Sequence, residues 1–221
     1  MEPTARADLS RAWALVPIRG LETAKTRLGA DLDPEERAAL VTELLRRTLR
    51  ATRDSRRIAG TVVVTMDGDA AEIARRHHAV GLVERAPGLN GAIEAARSVA
   101  QARGATAVLV LPADLPAISA DALDGLLDEV DRAMEAAAVN GAGTGVVALV
   151  PDRHAEGTNA LLISPPALIA PAFGAASRAR HAAAARATGA RLIELDGPLS
   201  LDVDTAADLL EAEAALGSLR G

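Results

Sequence analysis

Short apolar runs alternate with stretches of helical periodicity from one end of the chain to the other. Three runs are almost continuously apolar, which is typical of strands buried on both faces of a parallel sheet. They lie at residues 13–18 (WALVPI), 61–65 (TVVVT) and 107–111 (AVLVL). Shorter strands are predicted at residues 80–84 (VGLVE), 145–150 (GVVALV), 159–164 (NALLIS) and 191–195 (RLIEL).

Helical periodicity fills the segments between these strands. Asp33 precedes Pro34 and Glu36 in the pattern of a capping box, which predicts the start of a long first helix. Regular strand–helix alternation indicates helices packed on both faces of one sheet. We therefore predict a single α/β domain over residues 1–221, with a doubly wound, mostly parallel sheet and an antiparallel excursion in the second half. The N-terminus is expected to be flexible over about residues 1–11.

The composition argues against several classes of function. Trp13 and Phe173 are the only Trp, Tyr or Phe residues, and the net charge is −6. Nucleic-acid binding usually needs stacking side chains and a basic surface, so we expect no nucleic-acid partner. There is no cysteine, which excludes a Cys nucleophile and thiolate metal sites, and the four histidines lack zinc-site spacing.

The chain also lacks the marks of a membrane protein. No apolar run approaches the roughly 20 residues that a membrane span requires. The first residues, MEPTARADLSRA, are polar and contain no apolar core of a signal peptide. We expect a cytoplasmic protein without a membrane partner.

Polar and small residues collect where the predicted strands end. Parallel strands bring their carboxyl ends to one edge of the sheet, which is where doubly wound folds bind ligands. Cations, glycines and isolated carboxylates at one edge suit a nucleoside triphosphate bound with Mg²⁺. These residues are Arg19, Lys25 and Arg27 after the first strand, Gly88 and Asn90 after VGLVE, Asp114 after AVLVL, and Asp202 and Asp204 late in the chain.

Each of these residues also has a purely structural interpretation. Asp114 stands between two prolines, where an aspartate is ordinary turn chemistry. Asp202 and Asp204 could help to start the last helix, at which Thr205 and Asp208 match a capping box. Lys25 is the only lysine, so it is either a position that arginine cannot fill or a chance surface residue. No P-loop and no dinucleotide-binding glycine motif is present, so a nucleotide would have to bind by another scheme.

Six segments carry a family likeness, in the family's order and over nearly the whole chain. They are VPIRGLETAKTRL, PGLNGAIEAAR, VLPADLPAIS, PDRHAEGTNALLISPP, FGAASRARHAAAARATGA and LSLDVDTAADL. Together they resemble the MobA-like nucleotidyltransferases, and more closely the guanylyltransferases that make the phosphoenolpyruvate- or phospholactate-derived precursor of coenzyme F-420. The resemblance implies a glycosyltransferase-A-like fold and transfer of GMP from GTP to the phosphate of a phosphorylated three-carbon acid, with release of pyrophosphate.

The resemblance also implies roles for individual residues, with Lys25, Arg27 and Asp114 as the catalytic ones. The matching positions are Arg19, Lys25, Arg27, Gly88 and Asn90 for the nucleotide, Asp114 with Asp202 or Asp204 for Mg²⁺, and Thr158, Gly174 and Ser177 for the acid. One departure is Pro112, which stands where the related fold commonly has a first acidic residue. Without that acidic residue, the carboxylates of Asp202 and Asp204 become more necessary for binding Mg²⁺.

Several alternatives stay open from the sequence. Phosphoenolpyruvate, 2-phospho-L-lactate and 3-phosphoglycerate all carry one carboxylate and one phosphate, and the base of the nucleotide is also open. A cytidylyl- or molybdopterin-type nucleotidyltransferase or a sugar-nucleotide glycosyltransferase would have the same fold, and a non-catalytic nucleotide-binding regulator would keep only the binding. We expect a monomer or homodimer, with a downstream transferase as a plausible partner that consumes the labile product.

Overall fold

The structure, a computed structural model, describes residues 7–21, 25, 28–29, 31–84, 88–138 and 145–219. The strands in these ranges are β1 (Ala12–Ile18), β2 (Ile58–Thr65), β3 (Val80–Val83), β4 (Ala107–Val110), β5 (Val146–Pro151), β6 (Thr158–Ser164) and β7 (Arg191–Glu194). The α-helices are α1 (Pro34–Asp54), α2 (Gly68–Arg76), α3 (Gly88–Ala102), α4 (Ala120–Ala138), α5 (Ser177–Ala187) and α6 (Ala206–Leu216).

All seven strands form one sheet in the spatial order β3-β2-β1-β4-β6-β5-β7. β1 is parallel to both of its neighbours, β2 and β4, and β2 is parallel to β3. β6 runs antiparallel to β4 and β5, and β7 returns parallel to β5. The predicted mostly parallel sheet with an antiparallel excursion in the second half is therefore confirmed, including the pairing of β5 with β6.

Alternate side chains of the central strands enter different cores, because successive residues of a strand point to opposite faces. On β1, Ala14 packs in a cluster with Leu127 of α4, whereas Leu15 packs in another with Ile93 of α3. All four side chains are buried, so the sheet is covered on both faces and its strands must be continuously apolar. None of the described helices combines the length and apolar character needed to cross a membrane.

The helix starts follow the capping residues. Asp33 and Glu36 exchange the two hydrogen bonds of a capping box at the start of α1, as predicted. A second capping box joins Thr205 and Asp208 at the start of α6. Because Thr205 is the N-cap, Asp202 and Asp204 precede the helix and their carboxylates are not used to cap it.

The segment before β1 packs against the far end of the sheet. Leu9 is buried, the N–H of Asp8 donates to Oγ of Ser164 at 2.9 Å, and that hydroxyl donates to the carbonyl of Asp8 at 3.0 Å. Residues 1–6 lie outside the described residues. The flexibility expected for about residues 1–11 therefore stays a prediction.

This topology decides which loops meet. β1 to β4 end at the same edge of the sheet, and the reversed direction of β6 brings its first residue, Thr158, to that edge too. After β1 the chain builds β2 and β3 on one side, and then it crosses over to place β4 on the other. Such a switch point leaves a crevice between the carboxyl ends of β1 and β4.

Candidate active site

A cleft of about 1350 Å³ opens at this switch point. Pockets for a single small ligand are commonly about 300–1,000 Å³, so the cleft has room for a nucleotide and a second small molecule. Five of the residues predicted from the sequence line it, and they are Arg19, Lys25, Gly88, Asp114 and Asp204. Segments that are distant in the sequence are thus brought together as the strand order predicts.

Lys25 joins two carboxylates at the centre of the cleft. Its Nζ donates to Oδ2 of Asp114 at 2.7 Å and to Oδ1 of Asp204 at 2.8 Å. The lysine side chain is only 9% exposed, against 27% for that of Asp114 and 45% for that of Asp204. Burial acts to lower the pKa of Lys25, but the two carboxylates outweigh it, so the net pKa is raised and the ammonium group stays charged.

The backbone of Lys25 has an unusual conformation as well. Its φ is 56°, in the left-handed region that residues other than glycine rarely adopt. A lysine there costs free energy, and such strain tends to persist where surrounding contacts hold the residue for a purpose. The two ion pairs are contacts of this kind.

Backbone contacts hold the two aspartates side by side. The N–H of Val203 donates to the carbonyl of Asp114 at 3.1 Å, and the Val203 side chain is fully buried. Oδ2 of Asp208 accepts the N–H of Asp204 at 2.9 Å and that of Thr205 at 2.7 Å. The capping box of α6 therefore also fixes the backbone that carries Asp204.

Asp208 is supported in turn by an arginine from the β5–β6 loop. Arg153 forms ion pairs with Asp208 and with Glu211. Asp208 is only 3% exposed, so its charge needs this partner. The sequence pattern predicted Asp208 as a capping residue, whereas the role of Arg153 was missed, because the two lie far apart in the chain.

Asp202 lies near Asp114 and Asp204 but does not share their contact with Lys25. Among the described contacts its carboxylate accepts from Nδ2 of Asn159 at 3.4 Å, and none of them is a hydrogen bond or ion pair with Lys25. Burial raises the pKa of Asp202, and the nearby charge of Asp114 raises it further. Asp204 is thus the carboxylate that converges with Asp114 on Lys25, whereas Asp202 contacts Asn159.

The donor set at the centre of the cleft fits a hard divalent cation. Asp114 and Asp204 already share one positive charge, the ammonium group of Lys25, at hydrogen-bonding distance. Mg²⁺ is usually bound by one or two carboxylates and keeps its other positions for water and phosphate oxygens. No group of three or more His, Asp or Glu side chains suited to a metal occurs in the described ranges.

The loop after β1 contributes an exposed cation, and a hydrogen bond holds the beginning of this loop in place. Arg19 follows β1 and is exposed at the cleft. The N–H of Leu21 donates to Oδ2 of Asp67 at 2.9 Å, which ties this loop to the end of β2. Asp67 also caps α2. Its position two residues after the strand TVVVT is the sequence signal that could have identified it as a residue of this edge. Arg27, predicted to bind the triphosphate, lies outside the described residues.

The far side of the cleft is formed by the start of α3. Gly88, with φ 78°, begins this helix, and Leu89 beside it also lines the cleft. Leu89 and Met66 are 40% and 68% exposed. Exposed aliphatic side chains at the cleft offer an apolar surface for a flat ligand group such as a nucleobase.

The residues predicted for the phosphorylated acid come together next to the cleft, but their hydroxyl groups are buried. Oγ of Ser177 donates to Oγ1 of Thr158 at 3.3 Å, and Thr158 Oγ1 lies 3.1 Å from Nδ1 of His181. Thr158 and Ser177 are 6% and 1% exposed. Gly174, with φ 114°, is exposed between them and the cleft-lining Phe173.

His181 is an internal residue that the sequence did not single out for a role. Its Nε2 accepts the N–H of Ala172 at 2.9 Å, so this nitrogen is unprotonated and the ring is neutral. Burial, with a smaller effect of the Arg180 charge, lowers the pKa of His181 from 6.5 to about 4. The ring also packs edge-on against Phe173, with centroids 5.0 Å apart.

Asn90, predicted to bind the nucleotide, forms two hydrogen bonds with Phe173 in the structure. Its Nδ2 donates to the carbonyl of Phe173 at 3.1 Å, and its Oδ1 accepts the N–H of Phe173 at 2.8 Å. Both ends of the amide are therefore engaged by one backbone residue. Asn90 is also absent from the described residues that line the cleft.

The sequence is similar to that of a known family over most of its length. The family model "Guanylyl transferase CofC like" matches residues 12–214. A phosphoenolpyruvate guanylyltransferase of Sphaerobacter thermophilus is 43% identical over 199 residues, which cover 90% of each chain. One from Rubrobacter xylanophilus is 40% identical and aligns with 93% of this chain and 95% of its own.

Solved structures agree on the fold. A candidate nucleotide-diphospho-sugar transferase from Desulfovibrio desulfuricans G20 superposes with a TM-score of 0.68 at 17% identity and covers 90% of this chain and 85% of its own. A 4-diphosphocytidyl-2C-methyl-D-erythritol synthase superposes with a TM-score of 0.57 at 16% identity and covers 93% of this chain and 96% of its own. At these identities the likeness concerns the architecture alone.

Proposed function

Because the chain belongs to the family of CofC-like guanylyl transferases, we propose that it transfers GMP from GTP to the phosphate group of phosphoenolpyruvate. Pyrophosphate is the second product, and the guanylylated acid would serve the biosynthesis of coenzyme F-420. The observation that carries the proposal is the convergence of Lys25, Asp114 and Asp204 in a cleft with room for two substrates.

The acceptor is the finer part of the proposal. Phosphoenolpyruvate is favoured because relatives such as those from S. thermophilus and R. xylanophilus carry it in their names. 2-Phospho-L-lactate and 3-phosphoglycerate present the same two anionic groups and are the competing acceptors.

Charge neutralisation, not proton transfer, is the main demand of this reaction. The acceptor phosphate is already an anion at neutral pH, so its oxygen attacks the α-phosphorus of GTP without a general base. An O–P bond forms there, and the bond from the α-phosphorus to the bridging oxygen of pyrophosphate breaks. Lys25 and the exposed Arg19 would offset the charge on the triphosphate and on the departing pyrophosphate. Arg27 remains a proposed third cation.

Mg²⁺ belongs to this proposal, with Asp114 and Asp204 as its protein ligands and Asp202 as the nearby third carboxylate. When bound, Mg²⁺ would polarise the α-phosphate and reduce the repulsion between the two anionic substrates. Nζ of Lys25 contacts both proposed ligands, so its positive charge would compete with a divalent cation for them. The nucleotide phosphates offer the ammonium group new partners.

The acceptor would bind at the loop around Gly174. The N–H of Ser177 donates to the carbonyl of Gly174 at 3.1 Å, and the buried hydroxyl group of Ser177 donates to that of Thr158. We therefore assign Thr158 and Ser177 a share in shaping the subsite. A guanidinium nitrogen of Arg180 would lie 3.3 Å from a Cβ added at Gly174, which puts a cation beside the loop. Backbone N–H groups and this cation suit the carboxylate or phosphate of a small acid.

Pyrophosphate release tests the proposal directly. GTP, CTP and ATP are each incubated with Mg²⁺ and phosphoenolpyruvate, 2-phospho-L-lactate or 3-phosphoglycerate, with Asp114→Asn as the inactive control. We expect release above the control with GTP and phosphoenolpyruvate. Activity confined to CTP would favour a cytidylyltransferase, and GTP binding without pyrophosphate release would favour a regulator. GTP inactive with every acceptor would overturn the proposal.

Three further expectations accompany the function. A cytoplasmic location, a monomeric or homodimeric state, and a downstream transferase that consumes the product all stay predictions.

A further inference from the structure

The side chain of Asn90 forms a two-bond clamp on a loop that is distant in the sequence. Asn90 lies in the first turn of α3, which begins at the cleft with Gly88. Its amide donates to and accepts from the backbone of Phe173, at 3.1 and 2.8 Å. The donor and the acceptor of the amide are thus both engaged by the backbone of Phe173.

This geometry argues against a direct contact between Asn90 and the nucleotide. An amide that turned toward a nucleobase would leave the N–H and carbonyl of Phe173 without these partners, and Phe173 is only 8% exposed. Leaving buried backbone groups unpaired is costly. The clamp is therefore the favoured use of this side chain.

The clamped loop is held from its other side by His181. The N–H of Ala172, the residue before Phe173, donates to Nε2 of His181 at 2.9 Å, and the two rings pack edge to face. Phe173 is followed by Gly174, whose φ of 114° makes the chain turn at the point where the acceptor is expected. Asn90 and His181 thus hold the two residues that precede Gly174.

We propose that Asn90 is a positioning residue for the acceptor: its clamp on Phe173 holds the Gly174 loop in place, and it does not bind the nucleotide. This inference rests on the proposed function. It also links the helix that begins at the nucleotide side of the cleft with the loop on the acceptor side, through two hydrogen bonds.

Steady-state kinetics with Asn90→Ala provide the test, measured as pyrophosphate release with GTP and phosphoenolpyruvate varied in turn. A small displacement of a binding loop can reduce catalytic efficiency by between about tenfold and 100-fold. We therefore expect a rise of that order in the KM for phosphoenolpyruvate. The KM for GTP should change by less than about twofold, because the contacts that bind the nucleotide are unchanged in this variant. Asn90→Asp keeps the acceptor for the Phe173 N–H but not the donor, so its KM should be intermediate.

Arg97→Gln is the matched control. Arg97 lies on the same helix and donates to the carbonyls of Pro166 and Ile169, which precede the clamped loop, but it does not line the cleft. A general loosening of the loop would raise the acceptor KM in this variant as well, and that result would contradict a specific role for Asn90.

The outcomes separate the two claims. A wild-type protein without pyrophosphate release would overturn the proposed function and this inference with it. An active Asn90→Ala or Asn90→Asp variant with a raised KM for GTP and an unchanged KM for phosphoenolpyruvate would overturn the inference alone. Unchanged values for both substrates would do the same. If Asn90→Ala does not fold, the near-isosteric Asn90→Asp decides.

Discussion

Nζ of Lys25 lies 2.7 Å from Oδ2 of Asp114, across the crevice between the carboxyl ends of β1 and β4. The same nitrogen contacts Asp204, which lies 179 positions from Lys25 along the chain. A single ammonium group therefore occupies the point where two carboxylates converge. This arrangement makes specific demands on each of the three residues, and the demands can be tested.

Asp114→Asn should abolish turnover while the fold is kept. The change removes one of two converging charges and replaces an oxygen by an amide nitrogen, which is a poor ligand for Mg²⁺. We expect kcat/KM to fall at least about 100-fold, in the range seen when one electrostatic group at the reacting centre is lost. Asp196→Asn, an exposed aspartate after β7, serves as the control and should keep its activity. An Asp114→Asn protein with near wild-type kcat/KM would contradict the assignment.

Lys25→Met should bind divalent cations more tightly than the wild type when no nucleotide is added. Removal of the ammonium group takes away the positive charge that Asp114 and Asp204 share, so a cation no longer competes with it. We expect Mn²⁺ affinity, measured by calorimetry, to rise by about tenfold or more, which corresponds to roughly 1.4 kcal/mol. Turnover should be lost, because the same lysine is needed at the phosphates. Weaker Mn²⁺ binding by the variant would show that Lys25 does not compete for this position.

Asp204→Asn and Asp202→Asn should differ in their effects. Asp204 contacts Lys25 directly, whereas Asp202 has a raised pKa and lies beside Asn159. We expect kcat to fall at least about 100-fold for Asp204→Asn and less than about tenfold for Asp202→Asn. Manganese binding measured on both variants would show whether the difference arises at the metal. The reverse order of effects would assign the ligand role to Asp202.

Gly174→Ala should weaken acceptor binding. The φ of 114° is strained for any residue with a side chain, and the added Cβ would lie 3.3 Å from the guanidinium group of Arg180. We expect the KM for phosphoenolpyruvate to rise by about tenfold or more, since a small displacement of binding groups is enough for that loss. Gly125→Ala in α4, where an added Cβ meets nothing within 4 Å, is the control. Equal kinetics of the two variants would argue against the acceptor role of this loop.

Protonation of His181 should destabilise the fold at low pH. The pKa of the folded residue is lowered from 6.5 to about 4 by burial and by the charge of Arg180, so the unfolded chain binds the proton more readily. The stability that this residue contributes is fully present above about pH 6.5 and is lost as the pH falls toward 4. Urea denaturation at pH 7, 5.5 and 4.5 measures the slope, and His181→Gln should reduce it. An identical slope in both proteins would contradict a neutral, buried His181.

The local parts of the structure follow from local sequence. The strands were predicted from apolar runs, and helix starts from capping boxes at Asp33 and Thr205. Both signals depend only on residues that are close together in the sequence. The strand order also follows in outline, because strand–helix alternation permits few topologies. Hence the edge of the sheet that carries the cleft, and Lys25, Gly88 and Asp114 in its lining, could be expected from the sequence.

The pairing of side chains across that edge was decided by the tertiary structure. Lys25 lies between Asp114 and Asp204, and Asp202 contacts Asn159 instead. This arrangement depends on how three loops pack against one another. Asn90 was expected at the nucleotide, yet it holds Phe173, which is 83 positions away. Hydrogen bonds act over about 3 Å and depend on direction, and separation along the chain carries no information at that scale. The sequence by itself therefore determined the edge of the sheet at which the cleft lies, and only the packed loops decided which side chains line it and which hold the others in place.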